Sequence, residues 1–275
     1  MNPLPIQVDV ATVLPLLERE PLRHLVTLKM INSYAGAMSF LLQRDGKHWA
    51  VLSLLPTQAS DWDRKAYPDT RHIALVDGTH VEACDTLFRA LPAGPIVVKS
   101  GDEHIQAYLE DTFDASKVSS YISFTAPTGW DAKPVPEASA RTDRDVEAWS
   151  FFAHNGYEPT ELERYFAHGG NWFGSEANGE LASACFVLQN YGKVWEIAGV
   201  YTKPDCRRRG LARRVVASAV SFLVCRGLIA RYQAKWDNFA SIRLARESGL
   251  IEFLRVNHYR IPGGSYRDHI TNRWS

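Results

Sequence analysis

The segment that most constrains the fold runs from residue 196 to residue 249, where an apolar strand, an arginine-rich turn, a helix, a second strand and a second helix follow one another. The turn consists of Arg207, Arg208, Arg209, Gly210, Leu211 and Ala212, in the pattern Arg-x-x-Gly-x-Ala. Because the turn opens an amphipathic helix, successive backbone N–H groups and the positive end of the helix converge on one point. Gly210 lets the backbone approach an anion, and the arginines add positive charge. The sequence therefore predicts a pyrophosphate-binding turn at the start of this helix.

At this turn the sequence resembles the GNAT superfamily of acyl-CoA-dependent N-acyltransferases, whose signature is Gln/Arg-x-x-Gly-x-Gly/Ala between a strand and a helix. The signature residues here are Arg207, Gly210 and Ala212. The flanking segments agree: residues 200–204 resemble the strand end before the family's loop, and residues 236–238 resemble the end of its next strand. A later run resembles the family's second cofactor motif, Asn238-x-x-Ser241-x-x-Leu244 followed by Gly249-Leu250. The resemblance covers about residues 140 to 265.

The resemblance implies that this segment holds acyl-CoA. Two neighbouring strands are expected to separate beside Val200, Tyr201 and Thr202, whose main chain would bind the pantetheine arm and donate an N–H to the thioester oxygen. The phosphates would be held by Arg207, Arg208, Arg209, Gly210, Leu211, Ala212 and Arg213. Asn238 and Ser241 would contact the cofactor through the second motif. Asn238 is equally suited to be the N-cap of a helix beginning at Phe239.

Acyl transfer from a thioester to an amine needs a group that accepts a proton from the attacking ammonium. Glu196 is the candidate catalytic residue, because it lies on the strand that ends at Thr202 and, by the two-residue period of a strand, is expected to share a face with Thr202. The structural alternative is an exposed strand glutamate or one paired with a neighbouring cation.

The departing thiolate must gain a proton, and many members of the family supply it from a tyrosine on the last helix. The matching position here is Ala245. The remaining candidates, each of which is otherwise a packed or surface aromatic side chain, are Tyr201, Tyr232, His258 and Tyr259. A thiolate is also a tolerable leaving group near neutral pH without a dedicated acid.

The composition is that of an ordinary enzyme. Lys plus Arg equals Asp plus Glu at 31 each, so nothing in the charge balance calls for a nucleic-acid or membrane partner. The four cysteines, which are Cys84, Cys185, Cys206 and Cys225, form no CxxC and predict neither a disulfide framework nor a zinc site. The N-terminus lacks a basic n-region, and no apolar run is long enough to span a bilayer. We therefore expect a cytoplasmic protein without a metal.

The pattern of apolar residues predicts an α/β fold of the α+β type, with a mixed, mainly antiparallel sheet flanked by helices. Prolines and small residues over 126–141 predict a linker between a smaller α/β domain, residues 1–125, and an acetyltransferase domain, residues 142–275. The first domain contains no Arg-x-x-Gly-x-Gly/Ala, and it is either an unrelated α/β domain or a degenerate copy of the same fold. In the second domain, Thr142 to Asp145 fits a capping box, and Asn178-Gly179 predicts a hairpin turn.

These observations predict an enzyme that transfers an acetyl or other short acyl group from acetyl-CoA directly to a primary amine in a ternary complex. A longer acyl donor is an alternative within the same chemistry. A non-catalytic acyl-CoA sensor or scaffold is the alternative from another class. The acceptor is open between small-molecule and peptide amines because variable loops build its pocket, and a homodimer is compatible with the sequence.

Overall fold

The computed structural model describes residues 4–79, 82–131 and 140–262. Internal contacts divide the chain into two compact units, of which unit 1 comprises residues 1–120 and 255–275 and unit 2 comprises residues 121–254. Each unit holds a mixed, mainly antiparallel set of strands covered by helices, which confirms the predicted fold class.

Unit 1 begins with four antiparallel strands and the helices between them. Its elements are β1 Ile6–Val8, α1 Val10–Leu17, α2 Leu25–Tyr34, β2 Ser39–Asp45, β3 His48–Pro56, α3 Asp61–Ala66, β4 His72–Gly78, α4 Glu82–Arg89, β5 Ile96–Ser100 and α5 Glu103–Thr112. β5 pairs with β4 in parallel. The last strand of the chain, β12 Ile251–Ile261, pairs antiparallel with β5 through residues 257–261.

Apart from α3, which has no counterpart among the described residues, unit 2 repeats this order of elements. It contains β7 Ala140–Arg141, α6 Val146–Ala153, α7 Pro159–Ala167, β8 Asn171–Ala177, β9 Glu180–Tyr191, β10 Val194–Thr202, α8 Leu211–Val224, β11 Ile229–Lys235 and α9 Phe239–Glu247. Neighbouring strands from β7 to β10 are antiparallel, and β10 and β11 are parallel. The strand that follows α5 in sequence, β6 Ser116–Thr125, pairs antiparallel with β11 through residues 121–125.

The boundaries of the units differ from the predicted segments 1–125, 126–141 and 142–275. Contacts divide the chain at residues 120 and 254, because Ile122 and Phe124 pack into the core of unit 2 and residues 257–261 pair within unit 1. Residues 132–139 of the predicted linker lie outside the described residues. Whether residues 142–275 fold independently stays a prediction.

Local sequence signals placed most elements of unit 2 correctly. The helix that was expected to be amphipathic, α8, buries an apolar stripe of Leu211, Val215, Ala219 and Leu223. Asn178 and Gly179 both have positive φ, 57° and 81°, as the predicted hairpin turn requires. The predicted capping box was wrong, because the N-cap of α6 is Asp145, whose carboxylate accepts from the backbone N–H of Ala148 at 2.9 Å.

We expect Phe124→Ala to lower the free energy of unfolding by about 3–5 kcal/mol, because it removes a fully buried ring from the core of unit 2. The control is Val118→Ala, which alters a partly exposed residue of the same strand and should cost less than about 1 kcal/mol. Urea unfolding of both variants measures these changes. Equal losses of unfolding free energy in the two variants would show that the Phe124 ring does not stabilise that core.

Candidate functional site

The parallel strands β10 and β11 separate toward their C-terminal ends. Their paired residues run from Val194 and Ile229 to Ile197 and Tyr232, yet β10 continues to Thr202 and β11 to Lys235. Within the described part of the chain, no pairing joins residues 198–202 to β11. This end of β10 thus has no strand partner among the described residues on the side of β11. The carbonyl oxygens of Val200, Tyr201 and Thr202 accept side-chain hydrogen bonds from Asn155, Ser183 and Arg207.

A bulge in β10 accompanies this separation. Ala198 lies opposite Phe186 of β9 and Tyr201 lies opposite Ala184, so that two residues of β10 face one residue of β9. Gly199 holds the bulge with φ +62°, and a Cβ there would lie 2.5 Å from the ring of Phe186. A glycine is therefore required at this position.

The bulge corrects one expectation from the sequence. Glu196 lies opposite Leu188, and Thr202 lies opposite Ser183. Since the extra residue inverts the alternation of side chains, Glu196 and Thr202 lie on opposite faces of the sheet. Glu196 shares its face with Tyr201 and with the cluster packed under α6 and α7, whereas the Thr202 hydroxyl lies 2.8 Å from that of Ser183.

The arginine-rich turn follows β10 through a 3-10 helix, Pro204–Cys206, and leads into α8. Arg208 and Gly210 both adopt left-handed backbone angles, with φ +63° and +78°. Arg207 donates from Nε to the carbonyl oxygen of Thr202 at 3.2 Å, which ties the turn to the end of β10. The predicted phosphate-binding side chains are exposed, namely those of Arg207, Arg208, Arg209 and Arg213.

Gly210 is the N-cap of α8, and it provides no side-chain cap for the first helical N–H groups. Those groups have no acceptor within a helix, and they include the N–H groups of Leu211, Ala212 and Arg213. A Cβ at Gly210 would meet nothing within 4 Å among the described residues. The turn thus presents backbone donors and positive charge to open space, as an anion such as a pyrophosphate requires.

Glu196 forms a buried ion pair that the sequence did not reveal. Its Oε2 lies 2.6 Å from Nη1 of Arg231 on β11 and accepts from Asn190 Nδ2 at 2.8 Å. The Arg231 side chain is 2% exposed and also donates to the Ser123 hydroxyl at 3.3 and 3.2 Å. The structural alternative for Glu196, a pairing with a neighbouring cation, is therefore present. Arg231 was overlooked because polar residues alternate along β11, a pattern that favours a solvated strand face.

The second predicted cofactor motif begins at a helix cap. Asn238 is the N-cap of α9, and its Oδ1 accepts from the N–H of Ser241 at 3.0 Å. The hydroxyl of Ser241 lies 2.6 Å from that of Tyr232. The capping role of Asn238 is confirmed, and contacts of Asn238 and Ser241 with a cofactor stay a prediction.

The candidate proton donors are scattered. Ala245 is fully buried in the core of unit 2. Burial raises the pKa of Tyr232 to about 12, which disfavours it as an acid. His258 and Tyr259 are buried among residues of unit 1, where the Tyr67 hydroxyl lies 2.5 Å from His258 Nδ1 and the Tyr259 hydroxyl donates to Glu110.

Of the four candidates, only Tyr201 lies on the separated part of β10. Its ring centroid is 4.8 Å from that of Phe151 and 4.8 Å from that of His154, both on α6 or at its end. Sequence reasoning missed this end of α6.

The described residues lack the features of several other kinds of site. They contain no group of three or more His, Cys, Asp or Glu side chains close enough to hold a metal ion. No helix in the described ranges has the length and apolar character needed to cross a membrane. The four cysteines form no disulfide in the described structure.

Residues 140–250 match the model of the Acetyltransferase (GNAT) family. The second half of this chain therefore contains a GNAT-family acetyltransferase domain, and the matched segment includes the separated strands and the arginine-rich turn. A search of curated proteins finds no match to the chain.

Several solved structures share the fold over nearly the whole chain. An acetyltransferase from the GNAT family of Colwellia psychrerythraea has a TM-score of 0.60 at 11% identity, covering 94% of this chain and 99% of that protein. A Drosophila protein has a TM-score of 0.58 at 14% identity, covering 94% and 98%. A tandem GNAT protein from the clavulanic acid biosynthesis pathway has a TM-score of 0.52 at 12% identity, covering 95% and 98%. These likenesses concern the fold alone, and together with the repeated element order they are consistent with a degenerate GNAT copy in the first half.

We expect Gly210→Asp to abolish binding of acetyl-CoA to the folded protein, because it places a carboxylate where the turn holds an anion. The control is Gly210→Asn, which has the same shape, tolerates a left-handed backbone angle and carries no charge. Isothermal calorimetry should show weakened binding for the asparagine variant and none for the aspartate variant. Unchanged affinity in Gly210→Asp would exclude this turn as the phosphate site.

The buried ion pair generates a second prediction. Glu196→Leu and Arg231→Met should each lower the free energy of unfolding by about 3–5 kcal/mol, because each leaves one buried charge without its partner. The double variant should lose less than either single variant, since neither charge then remains. Urea unfolding of the three proteins measures the coupling, and additive losses would show that the pair contributes nothing.

Proposed function

We propose that the chain is an N-acetyltransferase that moves an acetyl group from acetyl-CoA to a primary amine by direct transfer in a ternary complex. The observation that carries the proposal is the combination of two features in unit 2. Strands β10 and β11 separate beside Val200–Thr202, and the open anion-binding turn at Gly210 follows immediately in sequence. The turn suits the diphosphate of CoA, and the edge of β10 suits its amide-containing arm.

In the proposed complex, the phosphates lie at the N-terminus of α8 and the thioester lies along Val200–Thr202. A backbone N–H of that segment polarises the thioester carbonyl. The acceptor ammonium loses one proton, its nitrogen bonds to the carbonyl carbon, and the bond from carbon to sulfur breaks. The second nitrogen proton passes to the departing thiolate, so the products are an amide, the CoA thiol and one proton released to water.

Packing beside the bulge favours a short acyl group. The Cβ position at Gly199 lies 2.5 Å from Phe186 and 3.0 Å from Phe152. Both rings, from Phe152 on α6 and Phe186 on β9, are fully buried, so the face of β10 that carries Tyr201 is filled at this point. A long acyl chain would have to displace these rings, at a cost typical of an overpacked core.

Glu196 is retained as a candidate proton acceptor, acting directly or through water. Its ion pair with Arg231 is compatible with an ionised carboxylate. The same pair engages the carboxylate in structural contacts. The acceptor itself is proposed to be a small-molecule or peptide amine, and neither a nucleic acid nor a membrane partner is proposed.

Four cysteines without a disulfide suit a reducing, cytoplasmic setting.

The alternative function is an acyl-CoA sensor or scaffold without catalysis. One observation favours it, which is that the position of the usual tyrosine acid is the buried Ala245. A sensor and an enzyme both bind acetyl-CoA, but only an enzyme increases the release of the CoA thiol when an amine is added.

We expect the purified protein to release CoA thiol from acetyl-CoA in the presence of at least one member of a panel of amino acids, polyamines, aminoglycosides and peptides. Ellman's reagent measures the thiol, and mass spectrometry identifies the acetylated product. Octanoyl-CoA should be a poorer donor. Tight acetyl-CoA binding without thiol release from any amine would favour the sensor.

A further inference from the structure

One histidine of unit 2 lies against the separated part of β10. His154 is the exposed C-cap of α6, and its ring centroid lies 4.8 Å from that of Tyr201. The next residue, Asn155, places its Nδ2 3.4 Å from the carbonyl oxygen of Val200. The end of α6 thus lies against two residues of the segment proposed to hold the thioester.

The backbone of α6 determines the tautomer of His154. Its Nδ1 lies 2.7 Å from the carbonyl oxygen of Ser150. A carbonyl oxygen can only accept a hydrogen bond, so Nδ1 carries the hydrogen, and in the neutral ring the lone pair is on Nε2. The contact with Tyr201 adds a second restraint on the orientation of the ring. His154 therefore presents an oriented proton acceptor on an exposed side chain.

Glu196 is placed less favourably for the same task. At about 3.3 Å per residue, it lies about 13 Å along the strand from Val200. Its Oε2 already accepts from Arg231 and Asn190, and its side chain is 12% exposed. A proton moving from a bound amine to Glu196 would have to cross several water molecules, whereas His154 borders the segment itself.

The charged groups around the end of α6 compensate one another. Glu147 on α6 lies 2.7 Å from the ammonium of Lys203, which follows β10 and also lies 3.4 Å from Glu180 of β9. On α7, the Glu161 carboxylate accepts from the backbone N–H of Glu158, the N-cap of that helix, at 3.1 Å. Nearby charges are thus engaged with partners on their own elements or on β9 and β10.

We propose that His154 is a catalytic residue of the transfer and that its Nε2 takes the first proton from the acceptor ammonium. The assignment rests on the proposed function. The ammonium nitrogen becomes a neutral amine, the imidazole becomes an imidazolium, and the amine lone pair forms the new bond to the thioester carbon. The imidazolium then releases its proton to water, and the second nitrogen proton leaves with the thiolate as described above.

The chain contains a matched control for the structural part of this role. His168 is the exposed C-cap of α7, and its Nδ1 lies 2.7 Å from the carbonyl oxygen of Arg164, four residues earlier. The two histidines thus cap their helices with the same bond, and only His154 lies against Tyr201 in the described contacts. A loss that comes from helix capping alone should be the same at both positions.

The test compares His154→Asn, His168→Asn and Glu196→Gln in the full-length protein, with acetyl-CoA and the best amine from the panel. We expect His154→Asn to lower kcat about 100-fold, the scale of general base catalysis, while KM for the amine and the affinity for acetyl-CoA change less than about threefold. His168→Asn should stay within about twofold of wild type. Equal losses in the two histidine variants, or a large loss in Glu196→Gln together with none in His154→Asn, would overturn the assignment.

A pH series distinguishes chemistry from packing. A base is needed only while the amine is protonated, so the ratio of wild-type to His154→Asn kcat should fall as the pH rises through the pKa of the acceptor amine. A ratio that stays constant with pH would mean that the histidine only supports the site, and it would refute the proposal. If the wild-type protein binds acetyl-CoA but transfers its acetyl group to no amine, the proposed function fails. The assignment of His154 then fails with it.

Discussion

The geometry of unit 2 depends on the backbone angle of Gly199. Its positive φ admits one extra residue into β10 opposite β9, and the close contact with Phe186 leaves no room for any side chain there. The bulge turns the side chain of Tyr201 toward α6, and beyond it β10 is no longer paired with β11. Because pairing normally satisfies backbone groups, a strand edge that leaves its neighbour is suited to bind a ligand rich in amides. The part of β10 that is not paired with β11 and the contact between His154 and Tyr201 thus both depend on one glycine.

Features with a local cause could be predicted from the sequence. Three such features are the turn at Gly210, the apolar stripe on α8 and the hairpin at Asn178. Each depends on residues that lie close together in the sequence, within a single turn or a single helix. The bulge had a local signal too, since a glycine inside an apolar strand often marks one, but strict alternation was assumed. That assumption placed Glu196 and Thr202 on the same face, which the register of β9 and β10 contradicts.

Features that depend on distant parts of the chain could not be predicted. Nothing in the local sequence indicates that residues 121–125 of β6 pair with β11. The partner of Glu196 is Arg231, 35 residues away, and Arg231 in turn bonds to Ser123, 108 residues away. A single sequence gives no measure of such distances, so nothing in it indicated that Arg231 is almost fully buried.

The two units show how one order of elements can have different chemical properties. In unit 1, β4 pairs with β3 without any register shift from His72 to Gly78, so the bulge of β10 has no counterpart there. Near the end of β4 the carboxylate of Asp77 bonds to Thr27 and lies 2.7 Å from His24. A carboxylate at this end of the parallel pair would repel a phosphate, whereas unit 2 has exposed arginines and backbone donors at the corresponding position in its element order. Under the proposed function, binding of the donor depends on local backbone geometry, which tolerates few sequences, while the proton acceptor depends on which side chain α6 brings against β10. The first can be recognised in a single chain, and the second only in the folded structure.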